Sequence, residues 1–497
     1  MNDRLGNVKK MIVATDKGVI DYGDVKNRLE EEGYGFCCDN EDKDLRNIKL
    51  IKTSSNIIEQ VSTSDIANFL DPLIPGNALN NWYKETTITG QGFSFYKKMK
   101  RYYPEIYKDE KDSIKLFFKD KIVNVTSKKV TYLTYDEIDL KGKKIWSSNI
   151  SPKYFDPKHI TKWDKNDWYK FSENCVGKEN IDYLMRAIGY MVHTHKDKGF
   201  AKMVVLAEES GEEGRNGGTG KGLQIQMLEK IRTLSLIDGK LFDPSKEFSM
   251  SGINEDNNIV VLNDIKYDFK YGDFYNIITD GLALRKMRKN MIHIPFERSP
   301  KWIATTNFGV LDTDSSDLRR RIVVPFSNYY SDKRTPADEF TKMFFDDWND
   351  EDYSLFFSYV VKCCQMYLQD SAETHSAEGL YMKGVSKFIP EDFSLFVIDN
   401  WNDLSPQKWS IDKLRQEFPF SMQTKDVNTF LKALKIACKS MNIDIDRTSR
   451  ITDLNGKQVR AIVLTKIGEP FKNENVKEEE EHTTDNEGSI SDSNFPF

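Results

Sequence analysis

A run of glycines ending in a lysine, Gly214, Gly217, Gly218 and Gly220 followed by Lys221, is the stretch of this 497-residue chain best equipped for chemistry. Glycines let a loop turn its amides inward, and a helix starting there adds partial positive charge. A lysine closing such a loop reaches the β and γ phosphates of a nucleotide. The candidate cradle is Gly217, Gly218, Thr219, Gly220, Lys221 and Gly222. Two positions depart from the usual loop pattern. Arg215 stands where the first glycine falls, a place Gly214 can fill. Gly222 stands where a serine or threonine would hold Mg²⁺, which leaves that ligand to water or to Thr219.

Three later segments carry polar groups that could act on the same ligand. Asn258 to Leu262 is a buried-strand run ending in Asn263 and Asp264, where a carboxylate can serve a metal ion or an attacking water. Asp264 is the candidate for that role, and Asn263 is an amide where a second acid is usual. Lys301 to Asn307 is another apolar run, closed by Thr305, Thr306 and Asn307. Asn307 can orient the lytic water or sense the γ-phosphate, and such residues also end strands for ordinary turn reasons. Arg319, Arg320 and Arg321 precede the strand ending at Phe326. An arginine there can complete a neighbouring subunit's site, or simply belong to an exposed basic turn.

These residues need elements to hold them. Lys202 to Ala207 reads as a strand, and Gln224 to Ile231 as a helix with Ile225, Leu228 and Ile231 on one face. Between Gly281 and Phe296 two short apolar strands flank a basic turn, and Arg285, Lys286, Arg288 and Lys289 are its candidate contacts to nucleic-acid phosphates. Ser151 to Lys198 is helical by its spacing, as is the aromatic-rich run from 338 to 368, whose rings read as core. Residues 1–150 mix short strands with charged helices such as Tyr22 to Glu32 and Ser64 to Leu70. They hold no close pair of strand acids backed by a histidine, so a polymerising primase site is not expected.

Composition sets the outer bounds. The chain is long enough for about three domains, and 39% apolar residues support real cores. No apolar run approaches the roughly 18 residues of a membrane span, and no signal-peptide core is present, so a cytoplasmic location is expected. Six cysteines without zinc spacing read as reduced thiols. Residues 472–497 carry two lysines and eight acids, which accounts for the whole formal charge of −6. The body is therefore formally neutral, and this leaves room for a basic channel.

Taken in order, GGTGKG, IVVLND, the basic hairpin, WIATTN and LRRR resemble the superfamily 3 helicases, specifically the phage and poxvirus-type primase-helicase group. The match runs from about Trp163 to Leu368, and FERSPKWIATTNFGV is its most specific part. The resemblance implies an AAA+ P-loop ATPase core that uses ATP and Mg²⁺. It further implies a hexameric ring moving single-stranded DNA through a hairpin-lined channel, and it points to phage replication. Carried onto this chain, it makes Lys221 the phosphate lysine, Asp264 the metal-binding acid, Asn307 the sensor and Arg285 to Lys289 the channel basics. It puts the finger within Arg319 to Arg321, with Arg319 and Arg320 the first candidates.

Beyond the core, helices near 392–401, 410–417 and 425–440 precede two β-runs, 443–451 and 458–466, joined across Asn455 and Gly456. This reads as a winged-helix-like domain, which the resemblance also implies. The acidic end, with Phe495, Pro496 and Phe497, reads as a disordered tail. It looks like the docking peptide of single-stranded-DNA-binding proteins, which makes replication proteins such as a primase its expected partners. The expected architecture is thus α/β: an N-terminal α+β domain (1–150), a helical collar (151–200), the ATPase core (201–370), the winged-helix-like domain (385–467) and the tail (472–497). The alternative is an ATP-switch initiator that binds DNA without processive unwinding.

Overall fold

Both faces of one parallel sheet are covered, and its strands are accordingly almost wholly apolar. The computed structural model describes residues 11–12, 14–37, 49–76, 78, 98–208, 218–266, 269–287, 291–307 and 320–369, with parts of 400–466. Two compact units divide the chain, residues 1–387 and 388–497.

The parallel sheet has five strands: β1 (Met203–Glu208), β2 (Leu234–Asp238), β3 (Ile259–Asn263), β4 (Lys301–Thr306) and β5 (Arg321–Phe326). Their spatial order is β2-β3-β4-β1-β5. The chain thus runs from β1 out to the edge at β2, returns through β3 and β4, and crosses β1 to reach β5. The crevice beyond the carboxyl ends at such a reversal is where open α/β sheets bind ligands. Pro325, which has no N–H to donate, lies on the edge strand β5.

Side chains alternate between the faces. Val204, Leu206, Val261, Ile303, Ile322 and Val324 belong to one core. Helices α1 (Asp167–Val176), α2 (Ile181–Val192), α3 (Lys221–Glu229) and α4 (Asp350–Gln369) contribute to the same core. A Cβ on Gly189 would lie 2.3 Å from the Cys363 carbonyl oxygen, so α2 and α4 meet backbone to side-chain-free backbone. Met203, Val205, Val260, Leu262, Trp302 and Val323 face the other core, with Phe274 and the hairpin strands Leu282–Leu284 and Ile292–Ile294.

The N-terminal part is α+β. Strands Arg101–Tyr102, Tyr34–Cys37, Lys49–Ser54, Ile57–Gln60 and Ile145–Trp146 form one sheet, in that order. Ser113–Phe117, Ile122–Thr126 and Val130–Leu133 form another. The helix Tyr22–Glu31 starts at Asp21, and Thr63–Leu70 starts at a Ser62/Asp65 capping box. Ala14 and Ile20 form an isolated bridge.

In the second unit, Ser410 caps the helix Ile411–Glu417. Of the two β-runs expected there, the second is interrupted at 461–462, and residues 447–449 of the first lie outside the described residues. Ile443–Asp446 pairs with Val463–Lys466, and Arg450–Thr452 with Gln458–Arg460. The expected turn at 453–457, the helix at 392–401 and the tail lie outside the described residues. Among the described residues no helix is long and apolar enough to cross a membrane.

Candidate phosphate-binding cleft

The carboxyl ends of β1, β3 and β4 open into a cavity of about 510 Å³. Its wall includes Gly218, Thr219, Gly220, Lys221 and Gly222 on one side, and Asn263, Asp264, Thr305 and Asn307 on another. Ser331, Asp332 and Thr335, from the turn after β5, also line it. Residues far apart in sequence thus converge because parallel strands end on one side of the sheet.

The backbone of the loop explains its glycines. Gly218 has φ +94° and Gly220 φ +97°, a region that L side chains rarely adopt. A Cβ on Gly220 would also sit 2.5 Å from Cys175 Sγ and 2.9 Å from the Phe171 ring, both on α1. Gly222, the first turn of α3, has nothing within 4 Å of its Cβ position. A serine would fit there, so the missing hydroxyl is a matter of chemistry and not of space.

Lys221 is buried, and its ammonium is ion-paired with Glu208, the last residue of β1. It also donates to Thr219 Oγ1 at 3.0 Å, and that hydroxyl donates to Glu208 Oε1 at 3.2 Å. Sequence reasoning missed Glu208, because the strand runs one residue further than its apolar pattern.

Asp264 takes a left-handed conformation, φ +60°, one step past β3. Aspartate tolerates this better than most residues. Its N–H donates to Thr305 Oγ1 at 2.8 Å, and Thr305 Oγ1 donates to Asn263 Oδ1 at 3.0 Å. The Ile265 N–H donates to the Thr305 carbonyl at 2.8 Å. These bonds lock the turn after β3 to the end of β4. The Asp264 carboxylate pairs with Lys240, whose ammonium that bond holds above the ordinary lysine range. Lys240 had no signal in sequence. It meets Asp264 because Asp238 and Asn263 are partners in the β2/β3 register.

Asp264, Asn263 and Thr219 offer only oxygen donors, the set that suits a hard divalent cation. Among the described residues no group of three or more His, Cys, Asp or Glu side chains could hold a metal. The donors fit an ion that arrives on phosphate oxygens and keeps its waters, as Mg²⁺ does, and do not make a protein cage.

Of the other expected residues, the described Arg285, Lys286, Arg320 and Arg321 are not in the cleft wall. The Arg320 guanidinium lies 5.1 Å from the centre of the Tyr275 ring. Arg321 is buried, with its guanidinium 4.1 Å from the Tyr271 ring, so it is packed within its own chain. Arg285 and Lys286 extend from the hairpin, where Arg285 pairs with Glu247 at 2.6 Å and Lys286 donates to Asn254 at 2.7 Å. Gly217, Arg288, Lys289 and Arg319 lie outside the described residues.

No family model matches the chain, and no curated protein does. Among solved structures, two of the NrS-1 C-terminal region, A form without ligand, are similar over 88% of this chain and 98% of theirs. They share 12% identity with it, at TM-scores of 0.39 and 0.36. At that level of superposition, residue roles rest on the chain's own geometry.

Proposed function

We propose that this chain is an ATP-dependent replicative DNA helicase of the superfamily 3 type, phage-encoded, with an AAA+ P-loop ATPase core working as a hexameric ring on single-stranded DNA in the host cytoplasm. The single observation that carries the reading is the convergence of Lys221, Thr219, Asp264 and Asn307 on one cavity at the carboxyl ends of a parallel sheet. Lys221 would hold the β and γ phosphates of ATP, and the amides of Gly218 to Gly222 would cradle them. Bound Mg²⁺ would neutralise phosphate charge, held by Asp264 with Thr219 or water. Asp264 and Asn307 would orient the attacking water. Arg320 is the described candidate for a finger into a neighbouring site; Arg321, buried against Tyr271, is not.

The hairpin would carry DNA contacts through Arg285, Lys286, Arg288 and Lys289. The helix Ile411–Glu417 and the paired short strands after it support a winged-helix-like domain in the second unit. Replication proteins, a primase among them, would dock on the acidic tail.

The test is ATP hydrolysis by the full chain with Mg²⁺, with and without single-stranded DNA. Lys221→Ala should lower the rate by about 10²–10³-fold, the scale of losing one transition-state donor. Arg320→Ala should lower it by about 10³-fold or more if the finger acts between subunits. Hydrolysis that is slow in every form and indifferent to DNA would sink the motor. The same result would favour the second reading, an ATP-switch initiator, which Gly222 and Asn263 support by giving the metal fewer protein ligands.

A further inference from the structure

Among the described residues, the one cation on the wall of this cleft is already neutralised from within. Lys221 is the one Lys or Arg among the described residues lining the cavity, and its partner Glu208 has a side chain only 4% exposed. Asp264 lines the same cavity and is paired with Lys240. Asp332 adds a further carboxylate to the wall. Among the described residues, the one cation that a polyphosphate would meet on the wall already holds an acid, and two carboxylates, Asp264 and Asp332, stand with it.

Taking Lys221 from Glu208 would leave a buried carboxylate without its counter-ion and beside the incoming phosphates. Losing one partner of a buried pair is costly, because the other charge stays desolvated. A divalent cation carried on the phosphates changes the balance: Glu208 and Asp264 can give up their lysines when a second source of positive charge arrives.

We propose that Glu208 is a charge gate, which with Asp264 lets the cleft accept nucleotide as its divalent-metal complex and refuse the bare polyphosphate. The inference rests on the nucleotide-binding reading above and adds the form in which the ligand binds. Glu208 is a positioning residue in this scheme. It holds the Lys221 ammonium until an exchange of partners releases it, and Thr219, bonded to both, keeps the two groups in register.

The experiment is calorimetric titration of the full chain with ADP, in Mg²⁺ and again in EDTA. The wild type should bind at least about tenfold more weakly in EDTA. Glu208→Gln should raise metal-free affinity until the two conditions agree within about twofold, and Glu208→Asp, which keeps the charge, should retain most of the wild-type ratio. A wild-type ratio near one overturns the gate, and that measurement needs no variant to fold. A Glu208→Gln chain that binds ADP with Mg²⁺ yet keeps the wild-type ratio also overturns it. Absence of ADP binding in every form overturns the nucleotide reading itself, and the gate with it.

Discussion

Two buried ion pairs sit near opposite ends of the parallel sheet, and they are built differently. Asp109 and Arg232, 3.4 Å apart, have side chains 1% and 2% exposed. Asp109 also accepts from the Lys115 N–H at 2.9 Å, from the Thr194 N–H at 3.0 Å and from Thr194 Oγ1 at 2.9 Å. Arg232 also donates to the carbonyls of Val192 and Lys115, both at 2.9 Å. Burial alone would raise the Asp109 pKa, but Arg232, His193 and those hydrogen bonds outweigh it and hold the carboxyl below its ordinary range. The pair ties the N-terminal part to α2 and to the end of α3. Lys221, by contrast, borders a cavity, and Thr219 bonds to both it and its partner Glu208. Burial of charge is common to both, so it does not mark a site. What marks one is a buried charge with space beside it and a partner that can be exchanged.

The largest effect that would break this contrast lies at the saturated pair. Asp109→Ala should destabilise the chain by about 3–5 kcal/mol, because Arg232 is left buried without its acid. Denaturant melts of the variant should show that loss, while its affinity for ADP with Mg²⁺ stays within about twofold of the wild type. A variant of wild-type stability with weakened nucleotide binding would reverse the assignment of the two pairs.

Acid should strike the same region next. His193 is buried beside this pair, its Nε2 bonded to the Glu110 carbonyl at 2.8 Å, and burial, aided by Lys301, lowers its pKa to about 4. A depressed histidine stabilises the fold fully above its unfolded value, near 6.5, and loses that contribution as the pH falls through the folded value. Between pH 7 and pH 4 this one group should cost about 3 kcal/mol. Melts of His193→Gln against the wild type across that range should show a flatter acid slope for the variant, and equal slopes would remove the assignment.

The glycine loop supplies the smallest and most selective contrast. Gly220→Ala places a Cβ against Cys175 and Phe171 at φ +97°, and should cost about 1–3 kcal/mol as well as nucleotide affinity. Gly222→Ser meets open space and should leave stability within about 0.5 kcal/mol. The added hydroxyl should lower the Mg²⁺ concentration needed for half-maximal hydrolysis severalfold. A parallel titration of both variants with Mg²⁺ would check both expectations.

Much of this was legible in the residues themselves. The strands near 203, 259, 301 and 321 announce themselves as unbroken apolar runs, since a strand covered on both faces has no polar side to alternate. The hairpin after Gly281 was legible for a similar reason, two apolar strands around a basic turn. The interruption at 461–462 in the second unit was not, because runs of β-favouring residues do not say where pairing stops.

The sequence by itself determined the local chemistry: a glycine loop ending in Lys221, and polar residues at the ends of apolar strands. Those properties follow from side-chain type and short-range backbone preference. Only the tertiary structure decided which groups meet. Strand register brought Lys240 to Asp264, and the return of the loop brought Lys221 to Glu208. Strand alternation put Arg321 on the face of β5 shared with Val323, where Tyr271 covers it. Pairings of this kind depend on how strands are ordered in space, and neither residue type nor spacing along the chain encodes that order locally.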